Sequence, residues 1–99
     1  MIIVAGKIVL AEGRFEAARP HMERMIRETR REAGCRTYTF ARDVLEPDVI
    51  RVFEIWDSRE ALAAHASSAH MKDWRAALKD IGVASRDIRS WDADEGQAL

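Results

Sequence analysis

The sequence contains one cysteine, Cys35, so no disulfide can close within the chain, and a lone thiol fits a reducing compartment. Neither sign of charge is in excess: 16 basic residues stand against 17 acidic ones, interspersed, for a net charge of −1. That balance leaves no electrostatic footprint for nucleic acid, which is not expected as a partner. No apolar run approaches the roughly 20 residues that cross a bilayer, and Met1 to Lys7 lacks a basic stretch followed by a sustained apolar one. The expectation is a cytoplasmic protein with no membrane partner. A glycine-rich phosphate loop is also missing, and 99 residues leave room for one core only. A domain of this size buries only about 60–70% of the surface its unfolded chain exposes, so pairing with a second copy adds useful stability.

What is present is periodic. Ile2 to Leu10 is almost wholly apolar, with Lys7 its only charge, and reads as a central strand covered on both faces. From Phe15, apolar side chains recur through Ala18, Met22, Met25, Ile26 and Thr29 to Ala33, the stripe of an amphipathic helix. Pro20 predicts a kink in it or a helix that is regular only past that residue, and Gly34 a left-handed end. Arg36 to Val44 and Val49 to Trp56 alternate about a turn at Glu46-Pro47-Asp48, as a hairpin does. Asp57 with Glu60 predicts a capping box for a second helix that places Leu62, His65, Ala66 and Ala69 on one face. Ser67 or Ser68 offers a second cap, so the helix is expected to break and restart with a stripe of Met71, Trp74 and Leu78. Gly82 then punctuates before a fourth strand, Val83 to Trp91. One domain over residues 2–91 and an acidic tail over 92–99 follow.

The order strand, helix, strand, strand, helix, strand is the ferredoxin-like βαββαβ unit, an α+β fold. Its helices cover one sheet face. The other face is too apolar to be left in water, so a homodimer with two sheets packed face to face is expected.

The passage Glu54-x-Trp56-x-Ser58-x-Glu60-Ala61-Leu62-x-x-His65, then Ser68-x-His70-Met71, with Gly34-Cys35 and Tyr38 upstream, resembles the antibiotic biosynthesis monooxygenase family and its small quinol monooxygenase branch. The resemblance runs from Ile2 to Trp91. It implies a dimeric α/β barrel of ferredoxin-like protomers, and oxidation of a quinol or polycyclic phenol by O2 without metal, flavin or haem. The fold also hosts haem-degrading enzymes, but their pattern laid on this chain puts Gly6, His65 and Trp74 where that branch has asparagine, tryptophan and histidine, so haem is not expected. No cofactor is therefore expected.

Chemistry of this kind needs a dry aromatic slot and a group that takes the substrate's proton. A neutral imidazole near pH 7 suits the second task, and His65 is the catalytic candidate. Trp56, His70, Trp74, Tyr38 and Phe53 are the candidates for binding a small aromatic molecule. Duller readings stand beside these: His65 and the tryptophans also suit a core, His70 can serve structure, and Glu54 can anchor an arginine such as Arg86. No shared metal site is expected, since His65 and His70 lie five apart across a helix break with no third ligand at an obvious spacing. The alternative to catalysis is a binding protein of the same fold whose pocket is filled by Trp56, Trp74 and Met71 themselves.

Overall fold

The computed structural model describes residues 1–99. Its elements are β1 (Ile2–Leu10), α1 (Phe15–Thr29), β2 (Cys35–Arg42), β3 (Val49–Trp56), α2 (Arg59–Ala66), α3 (Ala69–Ile81) and β4 (Val83–Asp92). This is the ferredoxin-like α+β unit with its second helical region in two pieces. The strands form one antiparallel sheet in the order β2-β3-β1-β4. As its composition requires, β1 is central.

Side-chain alternation sorts the sheet into two faces. Ile2, Val4, Ile8 and Leu10 of β1, with Ile50, Val52 and Trp56 of β3, are buried on the helix side. They meet Phe15, Ala18, Met22 and Met25 of α1 and Trp74 and Ile81 of α3 in one core. The opposite parity is uncovered: Ile3, Ala5, Val9 and Ile55 lie there beside Phe53, 41% exposed, and Trp91, 50% exposed. No helix is long and apolar enough to cross a membrane.

Four local expectations are corrected. First, α1 ends at Thr29 rather than at Gly34, because the chain tightens there into short-range turns, Arg31 N–H to the Glu28 carbonyl and Glu32 N–H to that of Thr29. Gly34, at φ 82°, instead swings the chain into β2, and its carbonyl accepts from Asp57 N–H at 2.8 Å. Second, the helix is already regular before Pro20, from Phe15, and runs on through it. Third, β2 stops at Arg42, since the Asp43 carboxylate accepts from Leu45 and Glu46 N–H and turns the chain, which leaves Val44 and Leu45 almost fully exposed. Fourth, the cap of α2 is Ser58, which accepts from Ala61 N–H at 3.1 Å, because the Asp57 carboxylate is engaged by Arg36.

Candidate functional site

In an uninterrupted helix, residues five apart point about 140° from each other. His65 and His70 escape that limit because the helix breaks between them. Ser68 Oγ donates to the His65 carbonyl at 2.7 Å and accepts from Met71 N–H at 3.2 Å, closing α2 and opening α3 in one residue. The restart turns His70 back towards His65, with ring centroids 5.9 Å apart. Glu32 completes the group from the turn after α1. Its Oε2 lies 2.7 Å from His65 Nδ1 and 3.3 Å from His70 Nε2.

His65 is almost fully buried, 4.8 Å from the Trp56 ring and 5.3 Å, edge-on, from that of Tyr38. Burial draws its basicity below the ordinary imidazole value, while the Glu32 carboxylate pulls the other way. An ionised Glu32 requires a proton on Nδ1, so Nε2 is the nitrogen left for a ligand. That ring forms part of the wall of a cavity of about 220 Å³ between the helix-facing side of the sheet and α2 and α3. Val4, Ile8 and Val52 supply its sheet side, and Phe40 stacks on Trp74 at 5.4 Å to make a flat apolar wall. Arg75 and Arg86, both exposed, stand at its rim.

A second titratable group lines the same cavity. Glu54 is buried, and its Oε1 accepts from Trp56 Nε1 at 2.9 Å. Burial raises its carboxyl to about 6, against the opposing hydrogen bond. Burial and the Glu54 carboxylate push the Tyr38 phenol upward, so it stays a neutral donor.

Of the candidates named from sequence, His65, Tyr38 and Trp74 meet in the cavity wall. Trp56 is fully buried against His65 and supports the ring without lining the space. His70 lies behind His65, beside a separate small cleft. Phe53 lies apart from this cavity: strand parity sends it to the uncovered sheet face, opposite Ala5 and Thr39. Glu54 anchors no arginine, because Trp56 takes that role. A third potential donor, at no obvious spacing in the sequence, comes from Glu32, which with His65 and His70 brings three N or O atoms within 4.8 Å of one another. Gly6 itself is a packing requirement of the sheet, since any Cβ there would collide with the Asp87 carbonyl of β4.

The sequence profile of the family described as antibiotic biosynthesis monooxygenase matches residues 1–77. An uncharacterised protein of Synechocystis is 28% identical over 98 residues, spanning 99% of this chain and 67% of the relative. Among solved structures, a Deinococcus radiodurans protein carrying the family's name superposes with a TM-score of 0.92 at 24% identity, over 100% of this chain and 98% of that one. A Mycobacterium tuberculosis protein gives 0.85 at 24% identity over 98% of both chains. A conserved protein of Methanosarcina mazei gives 0.85 at 22% identity over 94% of this chain and 92% of its own. At these identities the structural matches speak for the fold alone.

Proposed function

Because the chain belongs to the antibiotic biosynthesis monooxygenase family, we propose that its cavity oxidises a small electron-rich quinol with O2, the substrate itself supplying the electrons. The observation that carries this reading is His65: a buried imidazole, braced through Nδ1 by Glu32, in the wall of an apolar aromatic slot. Ground-state oxygen reacts slowly with closed-shell molecules but accepts an electron readily from a phenolate. His65 Nε2 takes the phenolic proton, and the Phe40–Trp74 wall holds the ring and excludes water. Overall, one oxygen atom enters the ring, the quinol becomes a hydroxyquinone, and the other oxygen leaves as water. A dry cavity of about 150 Å³ holds benzene, so about 220 Å³ has room for one substituted ring.

An open pocket serves binding and turnover alike, and only the form of the binding-only alternative whose pocket is filled by its own side chains departs from this geometry. Trp56 packs outside the pocket, and Trp74 and Met71 line a space that stays open. The uncovered apolar sheet face, with Phe53 and Trp91 at its surface, supports pairing with a second copy of the chain. Oxygen uptake by the purified protein with a panel of hydroquinones tests the oxygenase reading, with buffer autoxidation and a His65→Ala protein as controls and product mass to locate the inserted oxygen. Uptake equal to autoxidation across single-ring quinols refutes it.

A further inference from the structure

Nothing in the oxygenase reading uses His70, and its surroundings are unusual. Its Nε2 is buried with no hydrogen-bond partner, although the Glu32 carboxylate stands 3.3 Å away in poor alignment. The same carboxylate oxygen is already held by His65 Nδ1 at 2.7 Å. One oxygen thus faces two imidazole nitrogens while serving only one of them.

We infer that Glu32, His65 and His70 form a binding site for a single divalent transition-metal ion. Two imidazoles and one carboxylate are the donor set that zinc, iron(II) and cobalt(II) favour, and three protein ligands leave further positions for water or a small molecule. Bonds of ~2.0–2.1 Å about a tetrahedral ion hold ligand atoms about 3.4 Å apart. The three donor atoms here, separated by 2.7 Å, 3.3 Å and at most 4.8 Å, bracket that spacing and reach it by small side-chain rotations. All three ligands come from fixed backbone. Glu32 N–H is bonded to the Thr29 carbonyl at 3.0 Å, His65 lies in the last turn of α2 with its carbonyl held by the Ser68 hydroxyl, and His70 lies in the first turn of α3. Glu32 and His70 are 18% and 14% exposed, so these two lie nearer the surface than His65, which is 3% exposed.

The site stands whether or not the cavity turns over a quinol, but the two are linked through one ring. An ion on Nδ1 displaces its proton, and Nε2 then carries the remaining hydrogen. His65 in that state donates a hydrogen bond and takes no proton, so the ion switches off a reaction that uses the imidazole as base.

The test is calorimetric titration of the chelator-treated protein with Zn²⁺ and with Co²⁺, together with the visible spectrum of the Co²⁺ form. One ion per chain is expected, with cobalt bands showing nitrogen ligation at low coordination number. Loss of an outer partner typically weakens a metal site roughly 10–100-fold, and Glu32→Gln and His70→Ala, each removing a ligand, should cost at least the upper end of that range. His21→Ala, which removes the one histidine outside the group, should bind as the parent does. Circular dichroism confirms that the variants fold, and His70→Gln replaces His70→Ala if it does not. Absence of binding under a several-fold excess of metal overturns the inference, as does affinity unchanged in both ligand variants. Neither readout depends on turnover, so failure here is distinct from failure of the oxygenase reading.

Discussion

Replacing Glu54 with glutamine should stabilise the protein at neutral pH and have no such effect in acid. The carboxyl is buried beside Trp56, and burial raises it from 4.5 to about 6. The folded chain therefore holds this proton more tightly than the unfolded one. The resulting stability is fully present below the unfolded value and is lost as the pH climbs through the folded one. The displacement corresponds to about 2 kcal/mol. Glutamine has the shape of the protonated acid and still offers an oxygen to Trp56 Nε1, so it keeps the packing and removes the buried charge. The stability difference, variant minus parent, should grow by about 2 kcal/mol between about pH 4 and about pH 8. Urea unfolding at each pH reads it directly, as a shift of roughly 1 M in midpoint for slopes of about 1–3 kcal/mol/M. Because the two proteins differ at one group, other titrations cancel. A difference that stays constant across this range, or that favours the parent at the alkaline end, would show that the carboxyl is not held as the structure indicates. A stabilising variant would also mark Glu54 as a group retained at a cost to the fold, as cavity residues with a chemical task often are.

His65→Ala should lower quinol-dependent oxygen uptake by about 10²–10⁴-fold while leaving the circular dichroism intact. In the parent, the rate should rise with pH through a midpoint below the 6.5 of ordinary imidazole, because burial favours the neutral ring; a midpoint above it would contradict that assignment. Sedimentation should show a dimer that Phe53→Asp with Trp91→Asp dissociates, and a monomeric parent at micromolar concentration would dismiss the paired-sheet architecture. Gly34→Ala should cost about 1–3 kcal/mol in thermal or urea unfolding, since φ is 82° and the new Cβ would stand 2.6 Å from that of Ala61; unaltered stability would show that the turn relaxes freely.

Where the pattern repeated over a whole element, the sequence was readable. Val49–Trp56 is a strand at both of its expected ends because strict alternation begins after a proline turn and stops at the residues that open α2. The fold class followed from such elements. Parity also separates Phe53 from Trp56, since odd and even residues of one strand face opposite ways, a distinction that aromatic character alone does not carry. Phe40 carried the opposite signal: it shares parity with Tyr38, which places it on the wall that stacks with Trp74.

Glu32 had no comparable signal. It lies in a turn without periodicity, 33 residues from His65, and reaches that ring only because Gly34 takes a positive φ and swings the chain into the sheet. Long-range meetings of this kind depend on how helix and sheet pack, which no local spacing encodes. The pair His65 and His70 shows the limit from the other side. Five residues apart, they are wrong for one helix face and for standard ligand spacing, yet the caps offered by Ser67 and Ser68 predict a break between them. Once a chain restarts its helix, spacing across the restart no longer fixes an angle. The break that seemed to argue against a shared site is the feature that makes one geometrically possible.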